Sequence, residues 1–119
     1  MARTVLVVDD DPQYVELVKD LLELHHYRVL TALNGSAALR IHQQHRVEVI
    51  VSDIEMPLMN GISFHQKIAQ QPDLCNIPFI FLTGSEEAHY YRYVEQHPAM
   101  HLVRKTEMVD RLLTVLEKA

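Results

Sequence analysis

The feature that most constrains this chain is an alternation, repeated five times, of a short run of strand character with a segment of helical period. The runs are Val5 to Val8, Arg28 to Ala32, Val47 to Val51, Phe79 to Leu82 and His101 to Val103. Two of them, Val5 to Val8 and Phe79 to Leu82, are continuously apolar, which is how a strand reads when both faces of its sheet are covered, and sheets covered on both faces are parallel. Strand-then-helix units at intervals of about 20 to 30 residues therefore predict an open α/β sandwich with helices on both sides.

Local signals place the helices. Asp11-Pro12 is a helix start, because an Asp side chain caps free amide groups and proline suits the first helical position. Val15, Val18, Leu21 and Leu22 then share a face. Asn34 or Ser36 caps a second helix carrying Ala37, Ala38 and Ile41. The third run ends at Ser52-Asp53, and Glu55-Met56-Pro57-Leu58-Met59-Asn60-Gly61 is turn chemistry leading to a helix from about Ile62 to Gln71. A fourth helix is expected over Glu86 to His97, with acidic residues at its positive end. Thr106 is expected to cap the last one, with Val109, Leu112, Leu113 and Leu116 turned inward.

Length and composition narrow the function classes. A chain of 119 residues reads as one domain, 1–119, with 48% hydrophobic and 23% charged residues typical of a folded globule. The longest aliphatic or aromatic runs are four residues, against roughly 18 for a membrane span. One cysteine, Cys75, allows no internal disulfide, and no basic leader with an apolar stretch comes first, so a cytoplasmic protein is expected. The net charge of −5 is 11 basic minus 16 acidic residues, and five of the acids fall in two short segments: Asp9, Asp10 and Asp11, then Asp53 and Glu55. Acidity so concentrated points to a site, and it argues against nucleic-acid binding, which needs clustered Lys and Arg.

In open parallel sheets ligands bind at the carboxyl ends of the strands. Asp9 and Asp10 follow the first run, Asp53 the third, Thr83 the fourth and Lys105 the fifth. Carboxylates brought together repel unless a cation or a lysine lies among them. An all-oxygen donor set favours a hard divalent ion, and Mg²⁺ needs few carboxylates while leaving positions for phosphate and water. Phosphoryl chemistry follows as the leading inference, with Asp53 as acceptor and the Thr83 hydroxyl and Lys105 ammonium on the other phosphoryl oxygens. Singly, each residue has a plainer role as a helix cap, a turn residue or a solvated charge; the constellation carries the argument.

Val7-Val8-Asp9-Asp10-Asp11-Pro12, Ser52-Asp53-Ile54-Glu55-Met56-Pro57-Leu58-Met59-Asn60-Gly61, Leu82-Thr83-Gly84 and Arg104-Lys105 together resemble the receiver domain of two-component response regulators, over nearly the whole chain. The resemblance implies a flavodoxin-like, doubly wound sheet of five parallel strands in the order 2-1-3-4-5 with five helices. It implies Asp53 as the acceptor of a phosphoryl group from the phosphohistidine of a sensor histidine kinase or phosphotransfer protein. It also implies Mg²⁺ held by Asp10, Asp53 and the backbone carbonyl of Glu55, with Asp9 acting largely through a metal-bound water. The downstream output domain or protein is not named by it. Thr106 stands where receivers usually have proline, and Leu102 where they usually have Tyr or Phe.

Two other readings use the same residues. Asp9 and Asp11 after a strand, followed by a later Thr and Lys, also resemble haloacid dehalogenase-type phosphatases with Asp9 as nucleophile; Glu107 and Asp110, in the final helix, would have to supply the acidic pair those enzymes need, and Asp53 is left without a role. A degenerate receiver that only binds partners is suggested by Leu102 and Thr106. Eight histidines raise the question of zinc at His42 with His45 or His97 with His101, but Pro98 interrupts the second pair and no Cys joins either, so surface histidines are expected. Tyr90, Tyr91 and Tyr93 lie together on the fourth helix, where at least one is expected to face the core and the others to contact a partner. Glu55 and Ser85 are where control of the phosphoryl lifetime is expected.

Overall fold

The computed structural model describes residues 3–56, 59–71, 77–84 and 88–119. Its elements run β1 (Thr4–Val8), α1 (Pro12–Leu24), β2 (Arg28–Ala32), α2 (Gly35–Gln44), β3 (Val49–Asp53), α3 (Gly61–Ala69), β4 (Phe79–Thr83), α4 (Ala88–Glu95), β5 (Met100–Arg104), a 3₁₀ turn (Lys105–Glu107) and α5 (Met108–Lys118). The strands are parallel and lie in the order β2-β1-β3-β4-β5, the flavodoxin-like doubly wound topology expected.

Strand periodicity divides the core. Val5 and Val7 of β1, Val49 and Val51 of β3, and Ile80 and Leu82 of β4 point to one face, where they meet Val18 and Leu22 of α1 and Leu112 and Leu116 of α5. The alternate residues Leu6, Val8, Ile50, Phe79 and Phe81 point to the other, against Ala38 of α2 and Phe64 and Ile68 of α3. Residues of β1, β3 and β4 are thus apolar on both sides because each side has its own helical layer.

The caps explain where helices begin. Asp11 accepts from the Gln13 amide at 3.0 Å with Pro12 in the first turn, and Asn34, not Ser36, accepts from the Ala37 amide at 2.8 Å. Asn60 accepts from the Ser63 amide at 2.9 Å, so α3 starts at Gly61. The end of α1 uses no glycine: His26 has φ 71°, its amide donates to Glu23 O and that of Tyr27 to Leu22 O, the paired bonds of a left-handed helix end.

Thr106 does not cap α5. It lies inside the 3₁₀ turn, Glu107 occupies the cap position without a side-chain hydrogen bond, and the helix begins at Met108. The shift alters the inward face: Met108, Leu112 and Leu116 are buried, Leu113 is partly so, and Val109 is 61% exposed. Expected starts and loops at Glu86, Ser85, Cys75 and Pro57-Leu58 lie outside the described residues.

The placement of α5 predicts opposite responses from two apolar residues three apart. Leu112→Ala should lower the free energy of urea unfolding by about 2–5 kcal/mol, whereas Val109→Ala should change it by less than about 0.5 kcal/mol. Equal losses would mean that Val109 is inside.

Candidate phosphoryl-transfer site

The carboxyl ends of β1, β3, β4 and β5 bring together Asp9, Asp10, Asp53, Thr83 and Lys105, every side chain that the sequence assigned to the site. Asp53 is the last residue of β3 and Thr83 the last of β4; Asp9 follows β1 and Lys105 follows β5. Asp9, Asp53 and Thr83 are buried, and Asp10 is exposed at the rim. Lys105 Nζ lies 2.8 Å from Asp9 Oδ2 and 3.4 Å from Asp53 Oδ2. Asp9 Oδ1 accepts from the Asp11 amide at 3.0 Å, so both of its oxygens are engaged.

Carboxylate oxygens of Asp9, Asp10 and Asp53 lie within 4.8 Å of one another, the only cluster of three or more metal-ligating His, Cys, Asp or Glu side chains among the described residues. Three carboxylates against one ammonium leave an excess of two negative charges, and every donor is a hard oxygen. That set fits a divalent cation. Glu55 is exposed, its side chain outside the carboxylate cluster.

The electrostatics record the crowding. Burial pushes the Asp53 carboxyl up, the charge of Asp9 adds to this, and Lys105 pulls back, leaving it at about 6. For Lys105, burial works to lower the pKa and is outweighed by the hydrogen bonds and charges of Asp9 and Asp53, so the net direction is upward and the ammonium persists.

Tyr14 is a member that sequence reading missed. Its ring lies under the Lys105 ammonium, 4.6 Å from Nζ to the centroid, and its hydroxyl donates to the Lys105 carbonyl oxygen at 3.3 Å. Burial, then the charges of Asp9 and Asp53, push its hydroxyl up to about 12, so it stays a donor. The available signal was its position in the first turn of the helix that the site aspartates introduce. Gly61 is a second. A Cβ there would lie 2.5 Å from the Asp53 carbonyl oxygen and 2.8 Å from the Phe81 ring, while the Gly61 amide donates to Ile54 O at 2.7 Å. The missing side chain lets the chain return against the residue that follows Asp53.

The histidines are not all at the surface. His42 and His65 are buried, each 8% exposed, while His45 is exposed. His97 follows α4 and His101 sits on β5, and neither pair joins a cluster of three ligands among the described residues. Glu107 pairs with Arg111 at 3.5 Å on the surface, away from any role as a second acidic pair.

Because the folded chain favours the protonated form of Asp53, that group's contribution to stability is fully present below the ordinary carboxyl value of 3.8 and is lost as pH rises through about 6. Asp53→Asn removes the buried charge while leaving Lys105 paired with Asp9. In EDTA at pH 8 it should raise unfolding stability by about 1–3 kcal/mol, and the gain should vanish towards pH 4. Urea titrations at the two pH values check this; a pH-independent difference would contradict it.

The comparisons agree with this geometry. The response regulator receiver domain family matches residues 5–117. The chain is 32% identical over 87 residues to Protein PilH of Pseudomonas aeruginosa, covering 73% of this chain and 71% of PilH. It is 34% identical over 84 residues to the response regulator GtcR of Aneurinibacillus migulanus, 71% of this chain but only 34% of GtcR, so it spans about a third of that longer relative. Among solved structures it is similar to the response regulator TrrA of Thermotoga maritima in complex with Mg²⁺-BeF, with 30% identity, a TM-score of 0.83, and coverage of 98% of this chain and 97% of that one. With these strand ends and this match over almost its full length, the chain belongs to the response regulator receiver domain family.

Proposed function

We propose that residues 1–119 act as one receiver domain, a phosphorylation-operated signalling module in which Asp53 takes a phosphoryl group from the phosphohistidine of a sensor histidine kinase or phosphotransfer protein. The observation that carries this is Lys105 Nζ between two buried carboxylates, 2.8 Å from Asp9 and 3.4 Å from Asp53. The phosphatase reading based on Asp9 leaves Asp53, buried beside the same ammonium, without a role, which favours Asp53 as nucleophile.

Asp10, Asp53 and the backbone carbonyl of Glu55 would hold Mg²⁺, with Asp9 reaching it through water. When bound, the ion neutralises charge on the phosphoryl oxygens. The protein's own residues do the rest. One oxygen of Asp53 attacks phosphorus as the bond to the donor imidazole breaks. Lys105 turns its ammonium from Asp53 to a phosphoryl oxygen while Asp9 and the Tyr14 ring keep it in place. The Thr83 hydroxyl, at the end of β4, donates to another oxygen. The modified Asp53 then changes contacts with an output domain or protein. The self-catalysed gain and loss of phosphate is the only chemistry assigned.

With Mg²⁺ and acetyl phosphate, intact mass should rise by one phosphoryl group, and the gain should disappear in Asp53→Asn or with EDTA. Lys105→Ala should slow it on the order of 10²-fold. Phosphate turnover that survives Asp53→Asn and is lost in Asp9→Asn would instead establish a phosphatase.

A further inference from the structure

We propose that a hydrogen bond between His65 and Tyr93 is a latch that holds α4 in its resting position, and that phosphoryl uptake at Asp53 works against it. The inference rests on the phosphoacceptor reading above and adds to it the contact that sets how readily the domain switches.

The latch is built from three elements. His65 Nδ1 on α3 lies 2.8 Å from the Tyr93 hydroxyl on α4. His97, just beyond α4, is 2.8 Å through its Nδ1 from the Tyr93 carbonyl oxygen, and its ring lies 4.5 Å from that of Tyr93 and 5.1 Å from that of His65. The His65 ring also stands edge-on to Phe79, the first residue of β4, at 5.0 Å. His65 is 8% exposed and Tyr93 half-buried, so the bond is part-buried. Burial, then the charge of His97, lower its pKa to about 4, and burial raises that of Tyr93, so both partners stay neutral near pH 7 and the bond persists.

Position turns this cluster into a control. Phe79 and Thr83 are the two ends of β4, about 13 Å apart at ~3.3 Å per residue. Thr83, the phosphoryl-oxygen donor, lies at the end from which the chain leads through Gly84 to the start of α4, while the cluster grips the last turn of α4 at the other end. Among the described residues, none lies within 4 Å of where a Cβ at Gly84 would be. Drawing Thr83 towards a phosphoryl group on Asp53 pulls on one end of a helix that His65 and His97 retain at the other. Leu102, on the neighbouring strand, carries no hydroxyl with which to make a competing bond.

Tyr93→Phe removes the bond and keeps the ring stack. A neutral hydrogen bond lost only from the resting arrangement should tighten the affinity for beryllofluoride, a phosphoryl mimic, by about fivefold in saturating Mg²⁺. The affinities can be read from amide spectra during titration. His65→Leu should give a similar gain, and the double variant no more than either single one. Hydrogen exchange of residues 88–97 should quicken in both variants before the mimic is added. A contact that merely supports the fold, made equally in both arrangements, would lower unfolding stability and leave the affinity unchanged; that result overturns the latch alone. Failure of the wild-type chain to take up beryllofluoride would overturn the phosphoacceptor reading, and the latch with it.

Discussion

The site depends on one ammonium group shared by two buried carboxylates. Asp9 and Asp53 end neighbouring strands, and without Lys105 their charges would oppose the close packing of β1 and β3 in a place that water barely reaches. Lys105 in turn depends on Tyr14, which offers the face of its ring to the ammonium and its hydroxyl to the backbone of the same residue. The compensation is incomplete, since one positive charge faces two nearly buried negative ones and Asp10 beside them. The upward displacement of the Asp53 carboxyl expresses that remaining cost. A site left with excess negative charge is suited to a divalent ion and then to a phosphoryl group.

The sheet makes this arrangement possible by having apolar residues on both sides. Each of β1, β3 and β4 alternates between two separate cores, and α1 and α5 seal one while α2 and α3 seal the other. With both faces covered, polar groups are accommodated at the strand ends, and the parallel topology places all five reactive side chains at one edge of the sheet. Gly61 is the local condition for this closure, because a side chain there would strike the backbone of Asp53 and the ring of Phe81.

Signalling requires that the rigid site be connected to something less rigid. Aromatic and imidazole rings hold the last turn of α4 against α3. In the proposed latch, those contacts are what a small change at the end of β4 would work against.

Alternating apolar runs determined the parallel, doubly wound fold, because a two-sided strand has only that solution, and Asp11, Asn34 and Asn60 marked helix starts through short-range bonds to amides two or three residues on. The placement of Asp9, Asp10, Asp53, Thr83 and Lys105 at one edge of the sheet was legible too, since they end or follow strands whose direction was already fixed. What the sequence left open was set by contacts between residues far apart. Thr106 looked like a cap because local propensity could not show that the chain after Lys105 tightens into a 3₁₀ turn, displacing α5 and turning Val109 outward. The end of α1 lacked its usual glycine, as His26 takes the left-handed conformation there. Tyr14 under Lys105 and His65 against Tyr93 join positions 91 and 28 residues apart, and no pattern along the chain specifies such pairs. Burial of His42 and His65 was equally hidden, because an imidazole fits either water or a core and only the packed neighbours decide which.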